Sequence, residues 1–452
     1  MRKTIFSYFV IAAMMFGLVA CEKNIELEPV SSLDGSGGFK TKQDVTAALL
    51  GCYNSLQSAS YVGLRYWTFA DMYADNIAHV GTFPSFSQVF NKQILADNVE
   101  ISNMWSNVYS GINRMNTVVE AAAAVDDKSF NSTAAIAEAR LLRAFQYFNL
   151  LRYFGGGETG YNKSGGLGVP LNVKPTLSPD DAKPVARSSE GDVWKLIGED
   201  IDFAVQNLPN SVGVGRVNRR VAFALKARAH LYKSEWAAAE AAADSVITKG
   251  GYSLLTSANY QNIFFQKGNS EAIWELVYDA TNTSQAYFFF YPTALGGRNE
   301  ISATASLRDA SEATDVRKAV NYTSSPAAKT LKFTRADGTD NNVMVRLAEM
   351  YLIRAEARAR QNKLVESLAD INVIRNRAGL LDAVAVTEAG LIDAIEKERR
   401  IELAFEGHRW FDIRRYNKLS SVGVTQPFRA LWPIPQREVL TTQNIITQNP
   451  GY

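Results

Sequence analysis

Apolar side chains fall at helical intervals over much of the chain. Leu141, Phe145, Phe148 and Leu151 follow one another at spacings of four, three and three, which places them on one face of an α-helix over 133–154. Similar patterning predicts helices over 44–56 and 98–125. Ser189 with Asp192 three residues on has the form of a capping box, and the helix it opens must end before Pro209. Two tight pairs follow: 219–232 with 235–248, joined at Lys233 and Ser234, and 343–361 with 364–377. A last long helix is expected over 388–406. The paired helices share a theme of closely spaced alanines, as in Ala227-Arg228-Ala229-His230-Leu231-Tyr232 and Ala355-Glu356-Ala357-Arg358-Ala359-Arg360. Alanine faces let helices approach closely, as in tetratricopeptide-like hairpins that stack on one another. The repeats are imperfect and interrupted. The expected fold is therefore mainly α: a tetratricopeptide-like helix-hairpin scaffold with a large irregular loop lobe containing short strands.

The periodicity fails in three stretches. Segment 60–92 is aromatic and loop-like, 155–188 is rich in Gly and Pro, and 250–342 mixes polar loops with strand-like runs at 272–278 and 329–334. The last holds the densest aromatic run, Tyr287-Phe288-Phe289-Phe290-Tyr291-Pro292. The scaffold is assigned to about 39–59, 93–154, 189–249 and 343–415, the lobe to about 60–92, 155–188 and 250–342, and a C-terminal segment to 416–452, all within a single body over 39–452.

Composition changes the picture at the N-terminus. The chain of 452 residues has 48 Lys plus Arg against 46 Asp plus Glu, and only two Cys and three His. Arg2 and Lys3 precede an apolar run from Ile5 to Val19, and Leu18-Val19-Ala20-Cys21 has the form of a bacterial lipoprotein cleavage site. Residues 1–20 read as a signal peptide, Cys21 as the lipidated first residue of the mature chain, and 21–38, rich in Gly and Ser, as a tether. Without the signal, acids and bases balance at 46 each, which argues against nucleic acid as the partner. The scattered His and the lone remaining Cys52 exclude a four-cysteine zinc site and a disulfide framework.

Catalytic patterns are weak. Gly155-Gly156-Gly157-Glu158-Thr159-Gly160 lacks the ending of a phosphate loop and follows a helix; it reads as a helix stop. Neither His-Glu-x-x-His nor Gly-x-Ser-x-Gly occurs. Glu398, Glu402 and Glu406 are spaced by four, and three like charges on one ridge are tolerable only if cations meet them. Arg399, Arg400 and Arg409 lie near in sequence, and Arg354 with Arg358, like Arg140 with Arg143, forms a matching ridge. A structural network linking hairpins through Arg140, Arg143, Arg354, Arg358, Glu398, Glu402 and Glu406 is expected, since a carboxylate among arginines makes a poor general acid.

Several motifs carry a resemblance. They are Ala137-Glu138-Ala139-Arg140-Leu141-Leu142-Arg143-Ala144-Phe145 running on to Tyr153-Phe154-Gly155-Gly156; Arg346-Leu347-Ala348-Glu349-Met350-Tyr351-Leu352-Ile353-Arg354-Ala355-Glu356-Ala357; Glu398-Arg399-Arg400-Ile401-Glu402-Leu403-Ala404-Phe405-Glu406-Gly407-His408-Arg409-Trp410-Phe411-Asp412; and Leu431-Trp432-Pro433-Ile434-Pro435 with Asn449-Pro450-Gly451-Tyr452 at the end. With the lipoprotein site, the chain resembles the SusD/RagB outer-membrane nutrient-binding lipoproteins of Bacteroidetes. The resemblance implies no enzyme activity and no cofactor. It implies a surface-facing, lipid-anchored binder of glycan or oligosaccharide that delivers to a TonB-dependent (SusC-like) transporter. A receptor of the same build for peptides or another nutrient is the alternative; a secreted glycoside hydrolase is a third.

Sugar recognition needs flat aromatics for ring faces and polar heads for hydroxyls. The loops offer Tyr61, Trp67 and Phe83 beside Asp71, Asp75, Asn76 and His79, and Tyr287 and Tyr291 beside Arg298 and Asn299. These are the candidate contacts, with exposure of Trp67 and Tyr287 the deciding property. Trp432, followed by Pro433 and Pro435, is expected to be a terminal clamp.

Overall fold

A computed structural model describes residues 39–162 and 165–452. The signal peptide, Cys21 and tether expected over 1–38 lie outside the described residues. Helix α1 is Lys42–Gln57, α2 Arg65–Met72, α3 Pro84–Phe90, α4 Val99–Ala124 and α5 Ser132–Phe154; α6 is Glu190–Asn207, α7 Arg219–Tyr232 and α8 Trp236–Lys249. After the short α9 (Asn262–Phe265), α10 (Ala286–Phe290), α11 (Ala305–Ala310) and α12 (Val316–Asn321) come α13 (Leu347–Ala359), α14 (Leu364–Arg377), α15 (Glu388–Glu402), α16 (Arg409–Arg415) and α17 (Gln436–Thr441). The strands are β1 (Ile77–His79), β2 (Leu167–Pro170), β3 (Arg187–Ser189), β4 (Ala272–Leu276), β5 (Ile301–Ala303) and β6 (Asn342–Arg346). They form three antiparallel pairs, β1–β5, β2–β3 and β4–β6. The described residues are mainly helical, with small sheets only. Among the described residues no helix is long and apolar enough to cross a membrane.

The scaffold is a run of neighbours: α1 on α4, α4 on α5, α5 on α6, α6 on α7, α7 on α8, α8 on α13, α13 on α14 and α14 on α15. Helix starts are set by local chemistry. Thr41 caps α1 in a full capping box with Asp44, and the side chains of Asn98, Asn131, Asn218 and Thr387 accept first-turn N–H groups of α4, α5, α7 and α15. One apolar cluster runs from Val45 on α1 to Ile446 near the C-terminus. It joins scaffold to lobe, because Phe145 on α5 meets Trp274 on β4 edge-on with centroids 5.2 Å apart.

Several boundaries differ from the sequence reading. Segment 60–92 is not loop: it holds α2, β1 and α3. Residues 342–346 are strand, and the helix expected from 343 begins at Leu347, because β6 pairs Arg346 with Ala272. The helix expected to reach 406 ends at Glu402, where Phe405 (φ 63°) and Gly407 (φ 80°) turn the chain. A Cβ at Gly407 would sit 3.0 Å from the Tyr66 ring. The run 329–334 forms no strand.

The charged ridges are buried, and their partners differ from those nearest in sequence. Glu402, fully buried, takes Arg346, Arg377 and Arg317. Arg346 and Arg377 also share Glu271, at 2.9 and 3.0 Å. Glu406 pairs with Arg346 and Lys332 at 2.8 and 2.7 Å, and Glu398 with Arg317 and Arg375 at 2.7 and 2.8 Å. Arg354 and Arg358 instead converge on Asp370 of α14 and reach back to Asp244 and Glu240 of α8, tying three helices together. Arg140 and Arg143 clamp Asp200 of α6 at 2.6 and 2.8 Å. Glu402, Glu271, Glu398 and Asp200 have lost their water, so an arginine in its place is obligatory there rather than optional, whereas Asp244 keeps much of its hydration.

Arg152 of α5 is held differently. Its guanidinium bonds Tyr66, Tyr232 and Asn149 and sits within 4.0 to 5.6 Å of the rings of Phe411, Phe148, Tyr232 and Tyr66. Ring faces and neutral oxygens take the place of a counter-ion.

Trp432, fully buried, lies 4.4 Å from the Tyr153 ring and 5.4 Å from that of Tyr73. Its backbone N–H donates to the Tyr153 carbonyl at 3.0 Å. Asn449 ties its carbonyl to that of Phe154 through one amide group, at 2.6 and 2.9 Å.

Candidate functional site

Six of the ten sequence candidates are buried, four of them within residues 61–76. Tyr61 is fully buried and its hydroxyl meets Asn149. Trp67, 2 % exposed, lies between Phe290 (6.0 Å, 2°) and Phe333 (4.7 Å, 24°). Asp71, fully buried, accepts the N–H of Phe405 and so fastens α2 to the 403–408 turn. Burial pushes its carboxyl up to about 7, against the pull of that N–H. Asn76 accepts from Arg400 at 3.1 Å. None of these four can touch a ligand in solution. Asp75 is committed as well, to Arg409 at 2.7 Å and Arg400 at 3.2 Å; burial favours its protonation, but the two arginines outweigh it and hold it low. The expectation failed because aromatics between polar residues were read as loop-borne, whereas α2 is helical and its partners come from residues 290, 333 and 405.

Tyr287 and Tyr291 are buried too, at 8 % and 6 % exposure, and stack on each other at 4.2 Å and 10°. Their hydroxyls donate to the carbonyls of Leu295 (2.8 Å) and Thr330 (3.0 Å). They frame the loop over 292–299 rather than present a face.

The rest gather on that loop and the facing turn over 80–84. The hub is Glu300, which leads into β5. Its carboxylate accepts the N–H of Thr82 (3.0 Å) and of Phe83 (3.4 Å), meets His79 at 3.2 Å and takes the Arg298 guanidinium at 3.0 Å. Burial would raise its pKa; Arg298, the two N–H groups and His79 more than offset this. Gly81 is required by the close approach, since a Cβ there would lie 2.0 Å from a Glu300 oxygen. Arg298, so held, lies 4.2 Å over the ring of Phe83 and keeps 42 % of its side chain in solvent. Asn299 (φ 60°) accepts from Lys329 at 2.6 Å, and burial pulls that ammonium down to about 8.

The sequence reading missed the outermost ring. Phe288 is 40 % exposed, its carbonyl takes the Arg298 N–H at 2.6 Å, and Val80 and Leu295 are exposed on the same turn and loop. Reading 287–291 as one helical turn would have found it: burying 287, 290 and 291 on one side turns 288 outward. The result is a patch made by the exposed Phe288 ring and the half-buried Phe83 ring, with the Arg298 guanidinium laid over the latter. It suits an uncharged ring stacked on its apolar face with donors at its edge. Among the described residues no group of three or more His, Cys, Asp or Glu side chains could hold a metal ion.

Known proteins match along the whole body. The profile described as SusD family matches residues 260–452, and the profile described as starch-binding and associating with the outer membrane matches residues 25–231. SusD-like protein P38 of Formosa agariphila is 28 % identical, covering 100 % of this chain and 99 % of its own. A SusD superfamily crystal structure from Bacteroides thetaiotaomicron superposes with a TM-score of 0.78 at 25 % identity, over 91 % of this chain and 100 % of its own. A laminarin-binding SusD-like protein superposes with a TM-score of 0.78 at 24 % identity, over 92 % and 100 % of the two chains.

Proposed function

Because the chain belongs to the SusD family, we propose that it binds glycan at the cell surface through the Phe83–Arg298–Phe288 patch. In this reading it passes the glycan chemically unchanged to a TonB-dependent outer-membrane transporter. The observation that carries it is the exposed ring-and-guanidinium platform, fixed from beneath by the Glu300 carboxylate and by the stacked Tyr287 and Tyr291. A rigid aromatic face loses little entropy on contact with a sugar ring, and the free edges of Arg298 and Asn299 supply hydrogen bonds. The description of the family matched at 25–231, starch-binding and outer-membrane-associating, favours glycan over peptide. Lipid on Cys21 and the 21–38 tether would hold the body at the membrane without immobilising it.

Native gels cast with separate polysaccharides test the reading. At least one polysaccharide is expected to retard the protein, and Phe83→Ala with Phe288→Ala to weaken the retarding interaction by about 2 kcal/mol. Uniform absence of retardation across the panel, with retardation by casein peptides instead, would assign the patch to peptides.

A further inference from the structure

Helix α4 carries Trp105 and the half-buried Tyr109 into the floor of an open groove of about 340 Å³. None of its lining residues belongs to the Phe83–Phe288 patch. One wall is the strap over 172–186, the other is α17 with Ile446. The strap is fastened rather than loose. The buried Asn116 amide donates to the carbonyls of Asn172 (2.9 Å) and Lys174 (3.1 Å), and Asn113 exchanges two bonds with Thr176 at 2.7 and 3.1 Å. The facing wall is held where Gln436 donates its N–H to Ala96 at 2.8 Å.

The lining has two kinds of surface. Tyr109 and Pro184 offer apolar planes, with the Tyr109 hydroxyl already spent on the carbonyl of the buried Pro170 at 2.9 Å. Ser106, Asn172, Lys183 and Glu438 also line it, and their side chains make no hydrogen bond or ion pair with any described residue. The groove thus holds a hydroxyl, an amide, one cation and one anion, all uncommitted. An apolar occupant would strip water from these heads and give nothing back. A charged one would gain from Lys183 or Glu438 what it lost to the other. A neutral polyol uses both donors and acceptors and lays its C–H face on the planes, and the volume falls within the range of small-molecule sites.

We propose that this groove is a second saccharide site, taking another part of the same neutral glycan chain. The inference rests on the glycan reading of the patch. Two sites on one rigid body engage a polymer together while a short oligosaccharide fills one at a time, so the groove serves chiefly to favour long chains.

The test uses the chain from residue 22 onward, in native gels containing laminarin, starch, xylan or mannan, followed by calorimetry with whichever polysaccharide retards the wild type and with its trisaccharide. Asn172→Ala with Glu438→Ala is expected to weaken polymer binding about tenfold and trisaccharide binding less than about twofold, with Tm unchanged. Phe83→Ala with Phe288→Ala should leave measurable residual retardation, and all four substitutions together should abolish it. Polymer affinity untouched by the groove pair, with all retardation lost in the patch pair, overturns the second site and leaves the glycan reading standing. Failure of all four polysaccharides to retard the wild type overturns both.

Discussion

At the scale of single residues, burial decides which polar groups titrate. The Asp71 carboxyl is raised from 3.8 to about 7 by its burial against the 403–408 turn. The folded state therefore holds this proton more tightly than the unfolded chain does. The stability it contributes is complete below about pH 3.8, falls as pH rises above that and is lost once pH has risen through 7, by an amount on the order of 4 kcal/mol. Asp71→Asn keeps the acceptor for the Phe405 N–H and removes the titration. Its unfolding midpoint should change less between pH 5 and pH 8 than that of the wild type, as read by thermal melts at both. An equal change in the two proteins would show that Asp71 is ionised in the fold at both pH values. Cys52 is similarly pushed up, to about 12, by burial, and should stay unmodified by iodoacetamide in the native protein at pH 8 while reacting once unfolded.

At the scale of elements, the helices were legible because their signals are local. Helical intervals, closely spaced alanines and short joints placed 219–232 and 364–377 at the observed boundaries. What could not be read was who meets whom. Glu398, Glu402 and Glu406 announced a need for cations, yet Arg317, Arg346, Arg375, Arg377 and Lys332 arrive from four separate segments. The same limit applied to the site: Phe83 and Arg298 were legible as loop residues, but the burial of Trp67 depends on Phe290 and Phe333, brought in by long-range packing. Glu402 is the joint between α15 and the elements bearing Arg317, Arg346 and Arg377. Glu402→Gln leaves those guanidinium groups short of one charge in a dry interior and should cost about 3–5 kcal/mol, seen as a lower urea midpoint. A loss below about 1 kcal/mol would mean that Glu271 alone suffices.

At the scale of the whole molecule, scaffold and lobe share one apolar cluster. That cluster couples the helical pairs, which taken singly look like repeats that could melt alone, to the lobe. Residues 40–452 should therefore unfold in a single calorimetric transition with matching calorimetric and van't Hoff enthalpies. Two resolved transitions would show that the lobe has its own stability.

The clamp at Trp432 carries a further consequence, one of timing. Trp432 packs against Tyr73 and Tyr153, residues translated long before it, and the pin at Asn449 follows later still. Until residues 432 and 449 have been made, the ring contacts of Trp432 and the two bonds of Asn449 cannot form. The packing around Tyr73 and Tyr153 is therefore completed only after the whole intervening chain has been made, which makes it a late step of folding during synthesis.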